Sequence, residues 1–351
     1  MAMHQVAASA GFGLPFLALC CLGAALLSAL LVTRMIRLAV MDVPGGRSAH
    51  DRPVPKGGGV GTVAAVLLGV PAVLLLFHRQ ERPMATFLLL AAVLLLAVVS
   101  WMDDLRQFGV RAKLAAQLAA SVLTIGAVLS TLSVMPPPML LLPGALAALA
   151  WLMLVTNATN FIDGLNGLAS GSIGLACLFS AGLGWRLGDP LVVAVGTMTA
   201  AGLAGFLPFN YPRARIFLGD VGSQVCGLLA GGLALFLFAD EWHDAGALAV
   251  PLMLAGILWD VLFTLLRRLS AGERLTQAHR GHLYQVAARS GVAPPIVAAL
   301  HWGFVIWGGL VGVAVASDRP VAAILMVLMP QIVWTILVRR RATRAGLGRW
   351  S

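Results

Sequence analysis

The sequence predicts an all-α integral membrane fold, a polytopic bundle of about 11 transmembrane helices with its N-terminus outside (periplasmic) and its C-terminus cytoplasmic. Three observations carry that expectation. Hydrophobic residues make up 60% of the 351 and charged residues only 11%, where a soluble domain carries about a quarter charged; mean hydropathy is +0.92. The apolar residues are gathered into runs near the length of about 20 that crosses a hydrocarbon core. Finally, 20 of the 24 Lys and Arg residues fall on one side when the runs are threaded alternately through a bilayer, which is the bias that orients membrane proteins.

In chain order the runs are 13–36, 60–77, 85–101, 113–132, 140–157, 168–184, 190–207, 224–239, 247–266, 296–316 and 320–338. The inside connections then hold Arg34, Arg37, Arg47, Arg52 and Lys56; Arg106, Arg111 and Lys113; Arg213 and Arg215; Arg267, Arg268, Arg274, Arg280 and Arg289; and Arg339, Arg340, Arg341, Arg344 and Arg349. Arg79, Arg82, Arg186 and Arg319 fall outside. Connections are short, such as the stiff turn at Pro136, Pro137 and Pro138 and the acidic one at Asp240, Glu241, His243 and Asp244. None has room for a soluble domain of about 50 residues, so residues 1–351 read as one integral-membrane domain. The N-terminal residues 1–10 carry no Lys or Arg, so the first run reads as a retained span rather than a cleaved leader. Cys20, Cys21, Cys177 and Cys226 lie in apolar runs without metal-ligand spacing and read as small buried hydrophobes. The net charge of +10 is explained by the one-sided loops and needs no nucleic acid.

The acids carry the functional reading. Asp103, Asp104, Asp163 and Asp220 all fall at inside ends of spans. A carboxylate in hydrocarbon costs about 2.5–3.5 kcal/mol on the mildest scale, so one kept there has a partner or a task. The richest segment is Asn157-Ala-Thr-Asn160-Phe-Ile-Asp163-Gly-Leu-Asn166-Gly167. Spacing by three would stack Asn157, Asn160, Asp163 and Asn166 along one helix face, a set of oxygens and amides suited to phosphate, ribose or a hard cation. A helix C-cap would explain the glycines but not the aligned polar groups. The adjacent pair Asp103-Asp104 repels itself unless a cation or proton intervenes; it could hold Mg²⁺ through oxygen or accept a proton. Two acids after a span are also a common solvated end. Asp220, in Gly219-Asp-Val-Gly222-Ser, adds another acidic site on the same side.

Basic groups complete the pattern. Lys56 followed by Gly57, Gly58 and Gly59 could present a cation with backbone N–H groups to a phosphate, though the Walker order is absent. The plain alternative is a flexible basic loop. His279, Arg280 and His282 suit a pyrophosphate better than zinc, since no carboxylate partner lies nearby in sequence. His4, His78, His243 and His301 read as surface or interfacial residues.

Five of these segments, in this order, resemble the polyprenyl-phosphate N-acetylhexosamine-1-phosphate transferases: Lys56-Gly-Gly-Gly, Asp103-Asp104, Asn157 to Gly167, Gly219-Asp220-Val-Gly-Ser, and His279-Arg-Gly-His282. The resemblance runs nearly the whole chain. It implies a bacterial inner-membrane enzyme with a cytoplasmic active site, Mg²⁺ (which Mn²⁺ could replace), a UDP-N-acetylamino sugar donor and an undecaprenyl phosphate acceptor. It implies that Asp220 binds the metal, and that Asp103, Asp104, Asp163 and Lys56 are catalytic. Asn157, Asn160, Asn166, His279, Arg280 and His282 are implied to bind substrate. The expected reaction releases UMP and leaves a pyrophosphoryl sugar on the lipid. The peptidoglycan branch resembles Asp-Gly-Leu-Asp-Gly with three successive His; Asn166 and the His-Arg-Gly-His order depart from it. They bring the chain closer to the branch that starts O-antigen or related surface glycans. A homodimer is the oligomeric expectation.

Two other classes compete. A transporter would place charge near the midplane and show inverted repeats; Asp260 alone is so placed, and no repeat is visible. A CDP-alcohol phosphotransferase would need Asp-Gly-x-x-Ala-Arg, and no Arg follows Asp163-Gly164 at that spacing.

Overall fold

The computed structural model describes residues 2–42, 53–76, 82–106, 108–240, 246–274, 277 and 279–347. Arg47 to Arg52, Arg79, Glu241, His243, Asp244 and Arg349, used above to orient the chain or mark its turns, and His78, read as a surface residue, lie outside the described residues.

Ten described helices are long and apolar enough to cross a bilayer. They are α1 (Ala2–Leu38), α2 (Gly59–Leu76), α3 (Pro83–Arg106), α4 (Val110–Leu129), α5 (Pro138–Ile162), α6 (Leu168–Leu187), α7 (Pro190–Asn210), α8 (Asp220–Asp240), α12 (Pro294–Ala314) and α13 (Pro320–Arg344). The run expected as one span over 247–266 is two helices, α9 (Gly246–Met253) and α10 (Ala255–Ser270), with the break at Leu254. Pro251 lies within α9 and lacks the N–H that would bond one turn back, which weakens the ladder just before the break. A short helix, α11 (Leu283–Arg289), follows in the next connection. The all-α expectation holds but omitted one detail: β1 (Met41–Asp42) and β2 (Val54–Pro55) pair antiparallel, Met41 opposite Pro55.

Helices overrun their apolar runs at the end that matters. α3 continues to Arg106 rather than 101, α5 to Ile162 rather than 157, and α8 begins at Asp220 rather than 224. A backbone near hydrocarbon keeps its hydrogen bonds even where side chains turn polar. Asp103, Asp104, Asn157, Asn160 and Asp220 therefore ride on helix ends instead of in loops.

The hub is α8, 89% of whose span is buried within the protein; α7 buries 78% and α6 67%. By contrast α5 buries 17% and presents Met139, Leu140, Leu142 and Leu146 outward, as expected where acyl chains are the solvent. Against the hub, α3 and α5 bring their acidic ends to the start of α8. The opposite end of the bundle is marked by a second pair: Arg82 donates to the buried Asp189 at 2.7 Å. Asp189 also caps α7 through the N–H groups of Leu191 and Val192.

Candidate active site

Four carboxylates from α3, α5 and α8 converge with two lysines. Lys113 on α4 lies 2.5 Å from Asp103 and 2.8 Å from Asp220, bridging them. Lys56, just before α2, lies 3.4 Å from Asp104. The other oxygens of the pair are also used: Asp103 accepts from Phe108 N–H at 2.6 Å, and Asp104 from Val221 N–H at 3.2 Å. Asp220 accepts from Asn160 at 3.0 Å and from Gln224 at 3.2 Å, and Asn160 also donates to Ser223 at 2.9 Å. Asp163 caps α5 at its C-terminus and its carboxylate accepts no hydrogen bond among the described residues. Burial, and after it the neighbouring Asp220 and Asp104, push its pKa well above the usual carboxylate range.

Four carboxylates stand against two ammoniums, so a further cation would ease the approach of a phosphate. Hard oxygen donors of this kind suit Mg²⁺, which takes one or two protein carboxylates and leaves its other positions to water and substrate phosphate. Among the described residues no three acids, imidazoles or thiols form a closed metal cage, and Mg²⁺ does not require one. Asp220, partly accessible though hydrogen-bonded, and Asp163, whose carboxylate accepts no hydrogen bond among the described residues, are the acids that could offer oxygens to such an ion.

The helix-face reading holds in part. Asn157 and Asn160 sit on α5, but the helix ends at Ile162 and Asp163 caps it, so Asn166 leaves the row. Asn157 is turned toward a supporting layer: it exchanges hydrogen bonds with Gln117 at 2.8 and 3.3 Å. Gln117 donates on to Gln224 at 3.1 Å, and Gln224 to Asp220. Asn166 donates to Pro212 O at 3.3 Å, tying its turn to the loop that carries Arg213 and Arg215. That tie is reinforced by buried Asn210, which accepts from Gly167 N–H at 2.6 Å and donates to Ile216 O at 3.0 Å.

The glycine triplet could have turned its N–H groups to a phosphate; two of the three are used within the fold. Gly58 N–H donates to Phe217 O at 2.9 Å and Gly59 N–H to Leu218 O at 2.8 Å. A Cβ on Gly59 would stand 2.1 Å from the Cα of Gly222. The triplet is a seam that lets the chain before α2 lie directly on the start of α8, and it leaves Lys56 as the charge delivered to the acids. Gly219 serves the same approach from the other side. Its φ is +78°, and a Cβ there would meet Asp104 Oδ2 at 2.9 Å.

The histidine loop abuts the Asn157–Gly167 segment. Tyr284 Oη donates to Phe161 O at 3.0 Å, and the His282 ring lies 6.1 Å from that of Phe161. His279 stacks on His282 at 4.9 Å. Arg280 is held through its carbonyl, which accepts from Arg289 at 3.1 Å. Burial and the nearby His282, Arg268 and Arg267 lower His279 to about 4, and its Nδ1 accepts from Gly281 N–H at 3.2 Å. His279 is therefore neutral above about pH 5, with its proton on Nε2. A His279→Gln variant, which keeps a donor and no titration, should leave the shape of the pH–rate profile between pH 5.5 and 8 unchanged. A lost limb in that window would show that His279 titrates there.

Lys113, Gln117, Asn210, Ser223 and Gln224 were not singled out as site residues in the sequence. A hint was available: Lys113 and Gln117 are four apart, and Asp220, Ser223 and Gln224 are three and four apart, polar stripes of helical period inside apolar spans. Asp260, the one residue favouring transport, is spent on the histidine loop, accepting from Leu283 and Tyr284 N–H at 3.0 and 2.9 Å.

Comparison with known proteins gives the family. A family model described as glycosyl transferase family 4 matches residues 86–238, which run from within α3 into α8 and hold all four acids. The chain is 31% identical over 320 residues to a decaprenyl-phosphate N-acetylglucosaminephosphotransferase of Mycobacterium leprae, covering 80% of this chain and 77% of the relative. It is 27% identical over 273 residues, 74% of each chain, to a probable undecaprenyl-phosphate N-acetylglucosaminyl 1-phosphate transferase of Bacillus subtilis. Over a shorter stretch of 187 residues, 47% of this chain and 53% of the relative, it is 36% identical to a phospho-N-acetylmuramoyl-pentapeptide-transferase of a Synechococcus species.

Proposed function

The chain belongs to glycosyl transferase family 4, and from that premise we propose that it transfers an N-acetylhexosamine-1-phosphate from a UDP-N-acetylamino sugar to undecaprenyl phosphate, at the cytoplasmic face of a bacterial inner membrane. The observation that carries the reading is the convergence of Asp103, Asp104, Asp163 and Asp220 with Lys56 and Lys113 at one end of the bundle. The positive-inside bias supports a cytoplasmic location for that end. We assign the product to the start of a surface glycan of the O-antigen kind, because Asn166 and His279-Arg-Gly-His282 depart from the muramyl-pentapeptide pattern.

In this reading a phosphate oxygen of the carrier attacks the sugar-linked phosphorus. The bond to the bridging oxygen breaks, and UMP leaves with its electron pair. Phosphate monoesters lose their second proton near pH 6, so little proton removal is needed at neutral pH. The oxygens of Asp103 and Asp104 are engaged by lysines and backbone N–H groups; either acid orients the carrier or takes its residual proton. Asp163, whose carboxylate has no hydrogen-bonded partner among the described residues, faces the arriving phosphate. Lys56 and Lys113 supply fixed charge where the pyrophosphate splits. Mg²⁺, held by Asp220 with Asp163, supplies Lewis-acid neutralisation of the pyrophosphate when bound. Asn160 holds Asp220 in place, and the Asn157–Gln117–Gln224 layer supports it. An apolar groove of about 460 Å³ lined by Tyr211, Pro295, Ile296, Leu300 and Phe304 opens beside the Asn166 turn and suits a prenyl tail.

The test is a donor panel. Purified protein, polyprenyl phosphate and Mg²⁺ are incubated with several UDP-N-acetylhexosamines, and UMP and lipid-linked product are scored together. At least one donor should give both in equal amounts. UMP without lipid product, or no UMP from any donor, would overturn the assignment.

A further inference from the structure

Asp260 is 1% exposed, on a helix that packs among apolar neighbours. A carboxylate in such a position survives only with donors around it. It has four. Oδ1 is 3.0 Å from His282 Nδ1, 3.0 Å from Leu283 N and 3.4 Å from Thr264 Oγ1; Oδ2 is 2.9 Å from Tyr284 N. A helix N-terminus is ordinarily capped by the side chain of its own N-cap residue. The N-cap of α11 is His282. Here a carboxylate from a helix 22 residues earlier takes the first two N–H groups of α11, and Gln285 closes a capping box with His282. The His282 Nδ1 meets Asp260, while its Nε2 has no partner among the described residues. Phe161, His279 and Tyr284 surround the ring at centroid distances of 6.1, 4.9 and 5.8 Å. Phe161 lies between Asn160 and Asp163 in the chain, so the ring stands against the segment that bears them.

We propose that Asp260 is a positioning residue for the transfer, holding His282 as the Nδ1–H tautomer in one orientation so that Nε2 serves the substrate phosphates. The proposal deepens the function given above and rests on it. A third group that fixes the tautomer of an imidazole is a recurrent device, because the nitrogen that binds the orienting carboxylate decides what the other nitrogen can do. Asn at 260 has one acceptor oxygen for four donors, and its NH₂ would oppose Tyr284 N–H or His282.

The experiment uses the full chain in lipid nanodiscs, with Asp260→Asn, His282→Gln and the double variant assayed for UMP release. Each single variant should lower kcat by about 10–100-fold, as loss of an orienting partner does. The double variant should be no slower than the worse single, because both remove one unit. Losses that multiply in the double variant, or Asp260→Asn at the wild-type kcat, would overturn the proposal. Nitrogen-15 NMR of histidine-labelled wild-type protein gives an independent reading: neutral His282 should carry its proton on Nδ1. A proton on Nε2 would refute the idea, and this result stands even if Asp260→Asn does not fold. Absence of UMP release by the wild type would defeat the assigned reaction, whereas the tautomer reports on the dyad alone.

Discussion

Asp220→Asn should lower kcat/KM for transfer by about a thousandfold or more, since metal-assisted charge neutralisation contributes several kcal/mol and each 1.36 kcal/mol is about tenfold. The substitution is close to isosteric, and its Oδ1 can still accept from Asn160. What changes is Oδ2, which now receives Lys113 and Gln224. An NH₂ in its place opposes both donors and removes one negative charge from the set that would hold a divalent ion. Two consequences separate this from general damage. Raising Mg²⁺ should not restore the rate, because the oxygen that would bind it is gone. Lys113→Gln should behave differently, relieving none of the acids and retaining a response to Mg²⁺ at reduced rate. Turnover by Asp220→Asn near the wild-type level, measured as UMP release in purified protein of unchanged helicity, would remove Asp220 from the proposed metal site.

The spans were legible because hydropathy is a sum over many residues and tolerates local error. Their ends were not. An apolar run stops at the first charge, whereas the helix stops only where its backbone can be solvated or capped, so Asp103, Asp104 and Asp220, which fall just past the apolar runs, are helical. The break at Leu254 was hidden inside a continuous apolar run. In the site, the acids were visible because each is anomalous where it stands. Lys113 was counted only as an orienting charge, and Gln117 and Gln224 are single polar residues whose meaning comes from meeting across α4 and α8. Asp260 was seen only as a charge within a span: depth along a span can be read from sequence, but the residue that will reach it from 22 positions later cannot.

The glycine triplet offers the sharpest division between a reading from residue types and one from packing, and Gly59→Ala decides it. A phosphate cradle would keep its N–H groups on substitution, and the variant would be as stable as the parent with a raised KM for the donor. The structure makes Gly59 part of a seam. Its absent Cβ would lie 2.1 Å from Gly222 Cα and 2.4 Å from Gly222 N, and backbone atoms cannot rotate away as a side-chain terminus can. The start of α2 must therefore move off the start of α8, breaking the Gly59–Leu218 and Gly58–Phe217 hydrogen bonds and carrying Lys56 away from Asp104. Overpacking of this kind costs about 1–3 kcal/mol, sometimes more. The expected result is a lowered apparent melting temperature together with a fall in kcat. Gly182→Ala is the control: the same change in a helix, at a site where nothing lies within 4 Å of the added Cβ, should leave both intact. Unaltered melting of Gly59→Ala with only donor affinity lost would return the triplet to the substrate. A joint loss of stability and rate would show that its glycines act by bringing α2 and α8 into contact, and that the positive charge of Lys56 reaches the acids because of it.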